Sequence, residues 1–124
     1  MRALVVDDSA VIVEIISHTL RKAGFEVVSA ANGEDGFAAF QLGDFDIVLT
    51  DITMPECDGI EMTERIREVS PNVPIVMVSA ADDASYMARA RQAGATAYLL
   101  KPIDGISLRS TVEELVMFHH LTHG

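Results

Sequence analysis

Three aspartates, a serine and a lysine stand where apolar runs of this chain stop. Asp7 and Asp8 follow the run Ala3 to Val6, Asp51 follows Ile47, Val48 and Leu49, Ser79 follows Ile75 to Val78, and Lys101 follows Ala97 to Leu100. Three carboxylates brought into a small space oppose one another's ionisation unless a cation intervenes. Acid-rich, all-oxygen ligation with few protein ligands and room for water and phosphate suits Mg²⁺ better than Ca²⁺. With its charge compensated, a carboxylate can act as a nucleophile toward phosphorus, and an aspartyl phosphate is one of the recognised covalent species. Phosphoryl transfer depends mainly on positioning and on stabilising the equatorial oxygens. Lys101 offers those oxygens a mobile positive charge and Ser79 a hydroxyl donor. Asp51 is the expected acceptor.

Only an ordered scaffold brings residues so far apart in sequence to one place. The continuous apolar runs suit strands covered on both faces. After Asp7-Asp8 the period changes: Ile12, Ile16 and Leu20 recur every four residues, Ala23 completes the stripe, and Gly24 is placed to end a helix in the left-handed conformation. Val27 and Val28 carry a second strand ending near Ala30; Asn32 caps a helix with Phe37 and Phe40 on one face and Gly43 as its terminator. The stretch Asp46 to Gly59 holds the third strand. Gly59 begins a helix expected to turn Met62, Ile66 and Val69 inward, with Glu61 and Arg65 as an i,i+4 pair on the solvent side. Pro71 and Pro74 bracket the next turn, Ile75 to Val78 is the fourth strand, and the acidic turn Asp82-Asp83 precedes an alanine-rich helix from Ala84 to Ala93. That helix has Met87 as its only large aliphatic residue and is expected to be weakly anchored. Gly94 ends it, Ala97 to Leu100 is the fifth strand, and a last helix presents Leu108, Val112, Leu115 and Val116 to the core.

Strand and helix patterns alternate without a linker or composition shift, which reads as an α/β fold: one doubly wound, five-stranded parallel sheet over residues 1–124. Right-handed crossovers then open all the polar strand ends on one edge, where open α/β sheets bind ligands.

Composition sets outer bounds. A chain of 124 residues, 49% hydrophobic, can bury a core without disulfides, and its single cysteine excludes an intramolecular one. A formal net charge of -10 argues against direct binding to nucleic acid or anionic lipid. No apolar run approaches the roughly 18 residues of a membrane span, and no signal segment precedes the first strand, so the expected compartment is cytoplasmic.

Together with Met54-Pro55 and Asp58-Gly59, the ordered set Asp7-Asp8, Asp51, Ser79 and Lys101-Pro102 resembles the receiver domain of two-component response regulators, of the chemotaxis-regulator type, over essentially the whole chain. The resemblance implies a flavodoxin-like (βα)5 sheet in strand order 2-1-3-4-5. It implies that Asp51 takes a phosphoryl group from a phosphohistidine on a sensor histidine kinase or histidine phosphotransfer protein. Asp8, Asp51 and the backbone carbonyl of Thr53 would hold Mg²⁺, with Asp7 acting directly or through water. The Lys101-Pro102 peptide would be cis, and Tyr98 would be a switch residue that moves inward as Ser79 is drawn to the phosphate. The fourth helix, fifth strand and fifth helix would face a downstream protein target. Such a domain is a regulatory phosphoacceptor, promoting only its own phosphorylation and dephosphorylation. Ser79 stands where threonine is more usual, Cys57 where methionine is common, and Gly105 and Ile106 replace a proline and an acid. Thr53 and Ala81 occupy positions that tune dephosphorylation.

Plainer readings stand beside these. Asp8 and Ser9 can cap the first helix, and Tyr98 can be half-buried core. Cys57 is expected to be an unremarkable loop thiol. His119 and His123 lie one turn apart and with His120 could bind a transition metal, though a frayed C-terminal turn is the expectation. The competing functions are a flavin or nucleotide binder, which Asp7-Asp8 would repel, and a non-phosphorylated flavodoxin-like binding scaffold. No output module follows the last helix, so the chain reads as a stand-alone receiver or a piece of a longer regulator; Met1 directly before the first strand favours a native start.

Overall fold

The computed structural model describes residues 1–54 and 57–123. Ten elements alternate along the chain: β1 (Arg2–Val6), α1 (Ala10–Lys22), β2 (Glu26–Ala30), α2 (Gly33–Leu42), β3 (Ile47–Thr50), α3 (Gly59–Val69), β4 (Ile75–Ser79), α4 (Ala84–Ala93), β5 (Ala97–Leu100) and α5 (Gly105–His123). The strands form one parallel sheet in the order β2-β1-β3-β4-β5. Chain direction reverses its progress across the sheet between β1 and β3, which makes their carboxyl ends the switch point where such sheets open a crevice.

Side-chain alternation explains why this sheet needs two helical layers. Ala3 and Val5 of β1 point with Ile47, Leu49, Val76 and Val78 toward α1 and α5, where Ile16, Leu20, Leu108, Val112 and Val116 close the core. Leu4, Val6, Val48 and Ile75 point the other way, against Met62 and Ile66 of α3. The central strands β1, β3 and β4 are buried almost throughout, whereas the edge strands β2 and β5 are half-exposed. Each fully buried Ile or Leu contributes about 1.5–3 kcal/mol, so the central strands anchor the edge from which the polar residues project.

Helix ends follow their signals. Ser9 Oγ accepts from Ile12 N at the start of α1, and Gly24, at φ 96°, turns the chain out after Ala23. Asn32, Asp58 and Asp83 cap α2, α3 and α4 through their side chains. Asp104 does the same for α5: its carboxylate accepts from Ile106 N at 3.0 Å and from Ser107 Oγ at 3.1 Å, which replaces the missing acid at Ile106. The weak anchoring expected of α4 has a structural counterpart, since Ala90 is its only buried residue, in a small cluster with Ile52, Ile60 and Met77.

Three local expectations are corrected. Arg65 does not pair with Glu61; its guanidinium reaches across to α2, 2.6 Å from Glu34 Oε1, and lies over the Phe37 ring. Val69 is 59% exposed, because it sits in the last turn of α3 after the helix has passed the sheet. The C-terminal turn is not frayed, since α5 continues to His123. Cys57 lies between β3 and α3, outside both elements as expected, with its side chain buried beside Met54 and Met62. Among the described residues no helix is long and apolar enough to cross a membrane.

Candidate functional site

Asp7 is the first residue beyond β1 and Asp51 the first beyond β3, and the pairing of Val6 with Thr50 sets them side by side at one sheet edge. Ser79 closes β4, paired with Leu100, so Lys101 follows one step beyond. Carboxylate oxygens of Asp7, Asp8 and Asp51 lie within 4.8 Å of one another. Lys101 Nζ donates to Asp7 Oδ2 at 2.9 Å and to Asp51 Oδ2 at 3.2 Å. Its side chain is 17% exposed, against 2% for Asp7 and 12% for Asp51.

Backbone donors hold the remaining oxygens. Ile52 N–H fixes Asp51 Oδ1 at 2.7 Å, and Ser9 N–H fixes Asp7 Oδ1 at 2.9 Å. Both oxygens of Asp7 therefore already have protein donors, while Asp8 is exposed beside them. Burial works against the charge of Lys101, but the hydrogen bonds and fields of Asp7 and Asp51 outweigh it and raise the lysine above its ordinary value. One ammonium among three carboxylates leaves negative charge uncompensated, and the hard oxygen donors of the cluster are those a small divalent cation takes.

Ser79 is buried, and its Oγ accepts from Ala81 N at 3.2 Å, which leaves the hydroxyl proton available. The Tyr98 hydroxyl donates to the Ala81 carbonyl at 2.6 Å. Burial, more than the nearby charges of Asp51 and Asp82, pushes its phenol up. Tyr98 therefore already reaches over the β4–α4 turn instead of pointing to solvent. The Lys101-Pro102 peptide is cis. Thr53 is exposed two residues beyond Asp51, and of the Met54-Pro55 pair only Met54 lies within the described residues.

Two features escaped sequence reasoning. Gly59 packs so closely on the backbone of Asp51 that a Cβ there would overlap the Asp51 carbonyl. Arg67 of α3 reaches across to the end of α4, donating to the Gly94 carbonyl at 3.0 and 2.8 Å. Neither has a signal in local sequence, since each depends on two segments meeting.

Cys57 is ruled out as a participant by its surroundings. Burial pushes its thiol up, and the Arg65 guanidinium, at 4.0 Å, only partly offsets this. In the native protein it should react with a thiol reagent at neutral pH roughly tenfold or more slowly than after denaturation, a ratio that colorimetric thiol titration measures directly.

A doubly wound sheet with an acid cluster and a lysine at its switch point defines a class of signalling domain, and comparison with known proteins agrees. Residues 3–113 match the response regulator receiver domain, and the chain belongs to that family. It is 38% identical over 113 residues to an uncharacterized transcriptional regulatory protein, YcbL, of Bacillus subtilis, covering 91% of this chain and 50% of the relative. It is 37% identical to the transcriptional regulatory protein ZraR of Salmonella typhimurium, covering 90% of this chain and 25% of the relative. The chain thus spans between a quarter and a half of these relatives. Among solved structures, the chemotaxis protein CheY4 of Vibrio cholerae superposes with a TM-score of 0.87 at 34% identity, covering 92% of this chain and 97% of that one. A CheY-like receiver domain from Methanospirillum hungatei superposes with a TM-score of 0.94 at 28% identity, covering 98% and 97%. The protein is a receiver domain of two-component response regulators, a regulatory domain with an acidic cluster able to hold a metal ion.

Proposed function

We propose that residues 1–124 act as one cytoplasmic receiver domain in which Asp51 accepts a phosphoryl group from a phosphohistidine on a sensor histidine kinase or histidine phosphotransfer protein. The observation that carries the reading is the placement of Asp51. Its carboxylate is held at one oxygen by the Ile52 amide and at the other by Lys101, at the edge of a cluster of acids. In the transfer the P–N bond to the donor imidazole breaks, its electron pair stays with the ring nitrogen, and a carboxylate oxygen of Asp51 bonds phosphorus. Lys101 exchanges its contact with Asp51 for a phosphoryl oxygen, and the Ser79 hydroxyl donates to another. Asp8, Asp51 and the Thr53 carbonyl would hold Mg²⁺, with Asp7 acting directly or through water beside them. When bound, the ion supplies positive charge that offsets repulsion between the acids and the incoming phosphate.

Drawing Ser79 toward the phosphate pulls on Ala81 and, through it, on Tyr98. Weakly buried α4 is the element best placed to shift, so α4, β5 and α5 would form the face read by a downstream protein. The relatives named as transcriptional regulators are longer than this chain, and direct nucleic-acid contact would belong to segments outside it.

Incubation with a small acyl phosphate and Mg²⁺ should label the protein with one hydroxylamine-labile phosphoryl group per chain. Asp51→Asn, or chelation of the metal, should remove essentially all of it. Equal labelling of wild type and Asp51→Asn would overturn the assignment.

A further inference from the structure

Far from the acid cluster, α5 ends in the segment His119-His120-Leu121-Thr122-His123. Its 19 residues extend roughly 28 Å from the site edge at about 1.5 Å per residue. His120 accordingly lines a groove with Met1, at the opposite end of the sheet. His119 and His123 sit one turn apart with their rings stacked, centroids 4.7 Å apart and planes inclined by 20°. Histidines at i and i+4 on one helical face are a spacing that holds Zn²⁺ in other proteins.

A hydroxyl steadies one ring. Thr122 Oγ1 stands 2.9 Å from the Phe118 carbonyl and 2.7 Å from His123 Nδ1, close enough to bond to the ring and hold its orientation. A hydrogen bond between one ring nitrogen and a neighbouring oxygen is the usual way a metal-binding imidazole is oriented. The surroundings also favour a cation: the last turn of a helix carries unsatisfied carbonyls and the negative end of its dipole, and the chain has a net charge of -10.

We infer that His119 and His123 form a second metal site, a two-imidazole chelate for a borderline divalent transition ion such as Zn²⁺, completed by water. The site needs one nitrogen of each ring at the roughly 2.0–2.1 Å usual for zinc and imidazole, and a separation of one helical turn is the spacing at which two histidines reach a single ion. Ligand chemistry separates it from the acid cluster: imidazole selects zinc, copper or nickel, and carboxylates select Mg²⁺. Closing this chelate pins the final turn of α5, on which Met117, Phe118 and Leu121 are exposed. The inference stands independently of phosphorylation at Asp51.

The test is calorimetric titration of Zn²⁺ into the full chain, without an added histidine tag, in excess Mg²⁺ so that the acid cluster is occupied. Wild type and His120→Ala should each take up one Zn²⁺ with the same affinity. His119→Ala and His123→Ala should each bind roughly tenfold or more weakly, because the second imidazole no longer acts at high effective concentration. Equal binding by all four proteins, no uptake by wild type, or uptake abolished by Mg²⁺ would overturn the assignment.

Discussion

Lys101→Met is expected to lower the unfolding free energy of the metal-free protein by about 3 kcal/mol and to slow phosphoryl transfer to Asp51 by roughly a hundredfold or more. The stability loss follows from what remains. Asp7 and Asp51 are held at the sheet edge by Ser9 and Ile52 amides, so they stay close together when the ammonium between them is removed. All three side chains are mostly shielded from water, which makes an unpaired charge costly there. Because the folded lysine is raised above its ordinary value, its contribution is fully present below the unfolded lysine value of about 10.4. It is lost only as pH rises through the higher folded value, so the deficit of the variant should be constant across neutral pH. Mg²⁺ should stabilise the variant by more than it stabilises wild type, since the acids then lack their internal cation. Urea unfolding in chelator and in Mg²⁺, with a labelling time course, measures all three effects. Coincident unfolding of wild type and variant in chelator would remove the ion pairs from any account of stability.

The legibility of this site in the sequence has a physical basis. Strands buried on both faces must be largely apolar, so polar residues at or just beyond each run mark the strand ends, and Asp7, Asp51, Ser79 and Lys101 fall on one edge, with Thr50 and Ser79 still inside their strands. The order of the strands was not carried by those residues; it came from family resemblance and agrees with the observed sheet. What failed was partnership between elements. Glu61 is the obvious local partner for Arg65, but α2 packs beside α3 and offers Glu34 together with the face of Phe37. Likewise the sequence places Cys57 between elements, as observed, but does not show that its side chain packs beside Met54 and Met62. The histidines of α5 looked idle because a terminal turn was expected to fray, and the helix instead holds them stacked.

Gly59→Ala should be strongly damaging, and the reason is space, not backbone angle. Among the described residues Gly24 and Gly94 are the glycines with positive φ, and Gly59 is not one of them. Its amide donates to the Ile52 carbonyl at 2.8 Å, which draws the start of α3 under the end of β3. A Cβ at this point would overlap the Asp51 carbonyl oxygen and stand 2.9 Å from the carbonyl carbon and 3.1 Å from Ile52 Cα. These are backbone atoms and cannot rotate away. Relief requires α3 to move off the segment that aims Asp51, with a cost of at least about 2–3 kcal/mol in stability and a matching loss of labelling at Asp51. Gly105→Ala is the control, because Gly105 also opens a helix. There the nearest atom to an added Cβ is Thr19 Oγ1 at 3.7 Å, an ordinary contact, so the change should be neutral or stabilising by up to about 1 kcal/mol from the better helix former. Equal unfolding midpoints for the two variants would mean that β3 and α3 do not meet this tightly, and that Asp51 is oriented by its side-chain partners alone.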